Sequence, residues 1–335
     1  MDYLSELAQT TGCDPATSGS FAGWQWLLVA NSDAGLHNNV LLFGLANGSA
    51  APTCVAKICR SPEASWVIEK EYSNLTTLWQ ALGDEAAGRA PRPLGLHRHG
   101  RDLVFLMAYC PGRSWLTERR SLWRDERRLR DRFGRAARAL RELHDRTATA
   151  GQPSITSSVF RAQANAFQAL YRPPAGEVAE LARLQTVVGQ RQSDVRRHIL
   201  LQGDFWPGNI VVNTQTGRLA VVDWQAARWS PDASQDVYLF ILAAAVEAAP
   251  PGSPGQRALA AADLLASWSR VLIPTYLEAY GQPAGYALLP LRDGLLATCV
   301  EMATRPYLTF GVQQEDGLLW RALFAELRLW PGTQT

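Results

Sequence analysis

Lysine is nearly missing from this chain. Of its 33 lysine and arginine residues only two are lysine, Lys57 and Lys70, and since a compact ammonium and a planar guanidinium fork are not interchangeable, each lysine is a position to explain. An excess of one charge is missing too. The formal net charge of +2 removes any global electrostatic case for nucleic acid or an anionic membrane as partner. The five cysteines, Cys13, Cys54, Cys59, Cys110 and Cys299, show no C-x-x-C spacing and no disulfide framework, which favours a reducing compartment. The longest apolar run, Tyr238 to Val246, ends at Glu247, far short of the roughly 18 residues of a membrane span. The opening Met1-Asp2-Tyr3-Leu4-Ser5-Glu6 has neither the basic nor the apolar region of a secretory signal. A cytoplasmic protein without a membrane segment is expected, long enough at 335 residues to divide into two lobes.

What the chain does contain begins with strands. Residues 1 to about 20 read as a short helix and a loop. Trp24–Ala30, Asn39–Gly44 and Cys54–Cys59 then read as an antiparallel meander. Period-2 alternation puts Lys57 on the same face as Val55, an awkward place for an unpaired ammonium. The helix expected over Glu63–Leu82 carries Glu69 and Glu71, which cannot share a face. Leu75 and Leu78 fall on the side of Glu71, so Glu71 is the expected partner and Glu69 a solvated acid. Pro93–His97 and Leu103–Tyr109 complete a five-stranded lobe that ends at the Cys110-Pro111-Gly112 break. Beyond it helices are expected over Arg113–Arg146, Phe160–His198 with a break at Arg172–Gly176, Ser234–Ala249, Gln256–Tyr280, Gly285–Leu308 and Gly317–Leu329. The mixed signs of the arginine-rich first helix favour i,i+4 pairing on a solvated face over a nucleic-acid surface.

Between those helices lies the stretch Gln202-Gly203-Asp204-Phe205-Trp206-Pro207-Gly208-Asn209-Ile210-Val211-Val212-Asn213, then Leu219-Ala220-Val221-Val222-Asp223-Trp224. The polar tract Thr214–Gly217 closes a β-hairpin. Pairing Asn213 with Arg218 puts Asn209 opposite Val222, which brings Asn209 and Asp223 to one polar end. An amide and a carboxylate oxygen form a partial shell for a hard cation such as Mg²⁺. Asp204 is left for other work.

These residues resemble the aminoglycoside phosphotransferase and choline kinase-like family, small-molecule relatives of the protein kinases. Gln202 to Asn209 resembles its catalytic loop H-G-D-x-x-P-x-N, and Val221-Val222-Asp223-Trp224 its metal-binding I-D-W segment. Lys57, Glu71, the Met107-Ala108-Tyr109-Cys110 crossover and Leu140 to His144 follow in the family's order, over roughly Trp24 to Asp236. The resemblance implies an α+β, bilobal protein kinase-like fold. Residues 1–110 would form a nucleotide-binding lobe of five antiparallel strands with one helix. Residues 111–335 would form a mainly helical lobe with the catalytic hairpin and the acceptor site. It further implies that Asp204 orients and deprotonates the acceptor hydroxyl, that Asn209 and Asp223 hold Mg²⁺, and that Lys57, set by Glu71, contacts the phosphates of ATP or GTP. Backbone near Ala108 and Cys110 would bind the base beside Met107, the Ser32 to Asn38 loop would cover the phosphates, and Asp236 would brace the catalytic loop.

Two departures stand out. Gln202 replaces the family's usual histidine, so an amide that cannot titrate must support the loop, and Trp206 stands where many members have histidine. Neither touches phosphate, and activity is expected to survive. The acceptor is expected to be a small molecule with a hydroxyl group: an antibiotic such as an aminoglycoside, an amino alcohol or a sugar. An aminoglycoside would call for acids such as Asp293 and Glu301. A protein kinase is disfavoured, since about a dozen residues between Asp223 and Asp236 leave no room for a peptide platform. The alternative from another class is a binding or sequestering protein that has lost turnover. Retention of Lys57, Asp204, Asn209 and Asp223 argues against it.

Overall fold

In the computed structural model, Leu4 and residues 24–31, 39–46, 48–59, 61–117, 125–150, 156–193 and 195–330 are described. The chain forms two compact units: Met1–Trp115 with Asn209–Ala227, and Leu116–Gly208 with Arg228–Thr335.

In the first unit, strands β1 (Gln25–Asn31), β2 (Asn39–Leu45), β3 (Cys54–Cys59), β4 (Pro93–His99) and β5 (Asp102–Ala108) form an antiparallel sheet in the order β1-β2-β3-β5-β4. Alternation sorts β3 as expected. Ala56 and Ile58 join Val40, Val104 and Leu106 in one apolar cluster, while Lys57, paired across the sheet with Leu41 and Phe105, lies on the other face. Helix α1 (Ser65–Leu82) buries Val67, Ile68, Glu71, Leu75, Leu78 and Leu82, a stripe of helical period. Its Tyr72 packs edge-on against Phe105, with ring centroids 5.6 Å apart.

The hairpin belongs to this unit. β9 (Ile210–Val212) pairs with β10 (Leu219–Val221) in the register Leu219↔Val212 to Val221↔Ile210, and with the short β6 (Arg113–Ser114) on its other side. Hydrogen bonds from Asn213 N–H to Arg218 O and from Val222 N–H to Asn209 O, each 2.9 Å, are those the counting predicts. Asn213 Oδ1 accepts from the N–H groups of Gln215 and Thr216, and Gly217 supplies the positive φ of the turn. Arg89 and Asn74 tie the hairpin to the rest of the unit: Val221 N–H donates to Arg89 O, and the Asn74 amide donates to the carbonyls of Trp224 and Ala227.

The second unit is mainly helical. β8 (Arg197–Leu201) lies between β7 (Thr149–Ala150) and β11 (Arg228–Ser230). Around it are α2 (Glu126–Thr147), α3 (Thr156–Tyr171), α4 (Ala175–Ser193), α5 (Ser234–Ala248), α6 (Pro254–Trp268), α7 (Leu272–Tyr280), α8 (Leu291–Phe310) and α9 (Glu315–Arg328). α5 is buried from Ser234 to Val246 and forms the centre, where Phe240 stacks on Tyr276 and meets Phe133 of α2. Asp125 caps α2 through Arg128 N–H, and the pairs Arg130–Glu126, Arg135–Asp131 and Arg141–Asp145 give it the mixed-sign surface expected.

Four expected helices are shorter than their periodicity suggests: the one expected from Arg113 starts at Glu126, with Arg113–Ser114 in β6, the one expected to end at His198 stops at Ser193 before β8, and two more differ further along. Gln256–Tyr280 is two helices, since Val271, with φ −136° and ψ −55°, leaves helical geometry at the joint, where the Ser269 hydroxyl also donates to Ala266 O. Buried positions continue through the break at Leu265, Trp268, Leu272 and Tyr276, so the apolar pattern is blind to it. The helix expected from Gly285 starts at Leu291, since Gly285 has φ +91° and Ala287 bridges to Asp232. Among the described residues no helix is long and apolar enough to cross a membrane.

Candidate active site

One cluster of predicted residues forms in the first unit. Lys57 Nζ lies 2.7 Å from Glu71 Oε2 and 3.1 Å from Asp223 Oδ1, with Gln225 Oε1 at 3.5 Å. Glu71 is 1% exposed, so the choice between the two glutamates follows the helix stripe, and Glu69 instead makes an exposed pair with Arg98. Burial alone would lower the pKa of Lys57, but the carboxylates of Asp223 and Glu71 outweigh it and hold the amine above its ordinary range. Asp223 has φ 60° and ψ 69°, left-handed geometry that is unusual for a residue with a side chain. It places the carboxylate beside Lys57 directly after β10, while Asn74, one turn beyond Glu71 on α1, holds the next carbonyl.

Asn209 is buried at the same end of the hairpin, its carbonyl bonded to Val222 N–H. Among the described residues no group of three His, Cys, Asp or Glu could hold a metal alone. Two hard oxygens with the rest of the shell left to phosphate and water fit Mg²⁺, which keeps such ligands readily, better than they fit a metal that needs a complete protein cage. At the end of β5, Met107 is buried. The Ala108 N–H is committed to Arg92 O and the Tyr109 N–H to Thr53 O, so neither amide is open to a base. Burial pushes the Cys110 thiol up to about 12. Ser32 and the rest of its loop lie outside the described residues.

A second cluster forms in the second unit. After β8 the chain turns at Gly203, whose φ of 79° suits glycine. Asp236, in the first turn of α5 and 0% exposed, accepts from the N–H groups of Gln202 at 2.7 Å and Gly203 at 2.8 Å. His144 Nε2 lies 3.2 Å from the same carboxylate, with its Nδ1 2.7 Å from the Tyr280 hydroxyl. Gln202 Oε1 accepts from Asp204 N–H at 2.7 Å, so the amide makes the supporting bond expected of it. The Gly203 carbonyl receives Gln235 Nε2 and Arg305 Nη2, each at 2.6 Å, and Arg305 Nη1 reaches Asp204 Oδ1 at 3.2 Å. Trp206 lies so close over Gly208 that any Cβ at 208 would collide with the indole, which accounts for a glycine beside this tryptophan.

Asp293 and Glu301 are neither open acids nor solvated ones. Both are buried. Asp293 is paired with Arg183, and Glu301 takes Arg228 Nη2 at 2.9 and 3.0 Å and Arg305 at 3.4 Å. The sequence reading missed Asn74, Gln235 and Arg305, and it placed His144 in the family's order without giving it a role. Asn74 was within reach, since it follows Glu71 by three on the same stripe. Arg305 carried no signal among so many arginines.

The five-stranded antiparallel sheet with its helix and the mainly helical remainder define a kinase-like fold, and solved structures share it at low identity. An aminoglycoside phosphotransferase from Streptomyces rimosus, in complex with ADP and streptomycin, is 16% identical with a TM-score of 0.50, covering 97% of this chain and 99% of its own. The GDP complex of an aminoglycoside 2'-phosphotransferase is 14% identical over 98% of this chain and 99% of its own, with a TM-score of 0.55. An ethanolamine kinase from Plasmodium vivax is 10% identical over 97% and 88%, with a TM-score of 0.57. No curated protein matches the sequence. The sequence model of the phosphotransferase enzyme family matches residues 31–289. The chain belongs to that family and is a small-molecule kinase that uses a nucleotide and acts on hydroxyl groups.

Proposed function

We propose that this kinase moves the γ-phosphate of Mg²⁺-bound ATP or GTP to a hydroxyl of a small molecule, with binding of the nucleotide assigned to the first unit and handling of the acceptor to the second. The observation that carries the reading is the Lys57–Glu71–Asp223 triangle, a buried ammonium fixed between two carboxylates. Lys57 contacts nucleotide phosphate and Glu71 sets its direction. Asn209 and Asp223 are the metal ligands; Mg²⁺, when bound, neutralises charge on the phosphate oxygens. Backbone at Ala108 and Cys110 receives the base beside Met107, with the Ala108 N–H excluded because Arg92 holds it.

Asp204 orients the acceptor hydroxyl and takes its proton. The acceptor oxygen forms a bond to the γ-phosphorus while the bond from that phosphorus to the β–γ bridging oxygen breaks, and the nucleoside diphosphate leaves. Such transition states are loose, so placement of the hydroxyl matters more than the basicity of Asp204. Gln202 and Asp236 hold the loop that presents it. The segment after Asp223 supports a small acceptor over a peptide, since β11 and the start of α5 occupy it without an insertion.

The test is Mg²⁺-dependent turnover of ATP and GTP against a panel of aminoglycosides, macrolides, amino alcohols and sugars, with Asp204→Asn as control. Wild type is expected to exceed the variant by about 10³-fold in kcat, the range of a positioned acid–base group, while the nucleotide-induced thermal shift stays the same. Equal, slow hydrolysis by both proteins with every acceptor would reject the kinase roles and leave a binding protein.

A further inference from the structure

Asp204, Arg305, Glu301 and Arg228 alternate in sign along one connected array. Arg305 Nη1 is 3.2 Å from Asp204 Oδ1, its Nη2 is 2.6 Å from Gly203 O and 3.4 Å from Glu301 Oε1, and Glu301 accepts Arg228 Nη2 on both oxygens. One planar fork therefore grips both the carboxylate and the backbone carbonyl one residue before it. That fixes the rotation of the Asp204 side chain as well as its position, which a lysine's single point charge does not do. The array is partly open, with side-chain exposures of 27% for Asp204 and 23% for Arg305. The two acids of α8, Asp293 and Glu301, are both compensated by guanidinium groups.

We infer that Arg305 is the positioning residue for Asp204, and that the charge balance it completes selects acceptors that are neutral or anionic over polycationic ones. This rests on Asp204 being the residue that handles the acceptor. A polycation gains affinity from surplus carboxylates. Here each carboxylate of the array already has a guanidinium within 3.4 Å, and an added cation meets Arg305 and Arg228 as well as their partners. Removing Arg305 leaves the array with one negative charge in excess and takes away the fork that orients Asp204.

The experiment uses the full chain and needs no known acceptor. Mg²⁺-ATP and Mg²⁺-GTP hydrolysis is measured for wild type, Asp204→Asn, Arg305→Lys and Arg305→Met, with spermine as the polycationic probe and thermal melting as the check on folding. Arg305→Met is expected to lose about 10²-fold in kcat at unchanged nucleotide KM, in the range found when an oriented donor is removed. Millimolar guanidinium should recover part of that loss. The same variant should be inhibited by spermine about 5-fold more strongly than wild type, the size of one charge–charge contact near water. Arg305→Lys keeps the charge and loses the fork, so its kcat falls while its spermine inhibition stays at the wild-type level. If Arg305→Met melts early, Arg305→Lys decides, by a lowered kcat with spermine inhibition at the wild-type level. Wild-type kcat in both Arg305 variants, with spermine inhibition equal throughout, overturns the inference while a slow Asp204→Asn leaves the kinase roles standing. If Asp204→Asn is as fast as wild type, the role of Asp204 fails, and that of Arg305 with it.

Discussion

The two units hold charge clusters of opposite design. In the first, a single ammonium serves two carboxylates, leaving the Lys57–Glu71–Asp223 group with a surplus of negative charge at the end of the hairpin where Asn209 adds a neutral oxygen. In the second, two guanidiniums alternate with two carboxylates, and Arg305 and Arg228 leave Asp204 and Glu301 no surplus at all. The first arrangement suits a site that gains a divalent cation. The second suits a carboxylate whose direction, more than its charge, is what has to be controlled. Burial does not separate the two clusters, since each pairs a buried carboxylate with a more open one: Glu71 at 2% with Asp223 at 33%, Glu301 at 11% with Asp204 at 27%.

The sharpest way to break this contrast is through stability. Lys57→Met strands the Glu71 carboxylate in the core, and losing one partner of a buried pair costs about 3–5 kcal/mol. Lys57→Met/Glu71→Leu should recover most of it, since apolar residues of similar volume replace buried pairs at little cost. Urea unfolding of the three proteins measures both values. The pH dependence has a definite sign. The folded value for Lys57 is raised above the ordinary 10.5, so the pair's contribution is complete below about pH 10.5 and disappears only as pH climbs through the raised value. Glu71, whose carboxyl burial already pushes up and Lys57 holds down, rises further once it is stranded, so the penalty of Lys57→Met should be largest at about pH 10 and shrink as falling pH protonates that carboxyl. A small penalty at that upper pH, or one that does not change with pH, would mean that the first cluster is no more structural than the second.

The contrast also explains what could be read from the chain. Lys57 stood out because it was one of two lysines and fell on a core face of a strand, and the α1 stripe then chose Glu71 over Glu69. The hairpin register followed from a turn and two apolar runs, all local. Gln202 and Asp236 were placed on the family's loop pattern, and both make loop-holding bonds. Arg305 is 101 residues from Asp204, and its type is the commonest cation in the chain, so neither spacing nor composition marks it. The break between α6 and α7 was hidden for a related reason: the buried positions keep helical spacing across it.

A middle-sized effect tests whether the catalytic loop is fixed by sterics as well as by charge. Gly208→Ala forces the Trp206 indole off its place, at an expected cost of about 1–3 kcal/mol for an overpacked contact. Trp206→Ala/Gly208→Ala should relieve it in the same urea assay. If Gly208→Ala is neutral, the indole can move aside and the loop is held by its hydrogen bonds and by the Arg305 pair.

The smallest change is expected at Gln202, and its value is in its pH dependence. Gln202 Oε1 accepts the Asp204 N–H at 2.7 Å, and an amide offers that acceptor at every pH. Gln202→His should keep the bond while the imidazole is neutral and lose it once protonated, at a pH below the ordinary histidine value because position 202 is buried and its N–H partner favours the neutral ring. At neutral pH the change in kcat should correspond to less than about 1 kcal/mol, the net value of a hydrogen bond that has a substitute. Below that point the variant should fall away from wild type by up to about 10-fold, because an imidazolium facing an N–H has no lone pair to offer and the loop must swing or leave its donor unmet. Parallel pH profiles for the two proteins would show instead that Asp236 and Arg305 hold Asp204 without help from residue 202, and would move the weight of the second cluster onto its ion pairs.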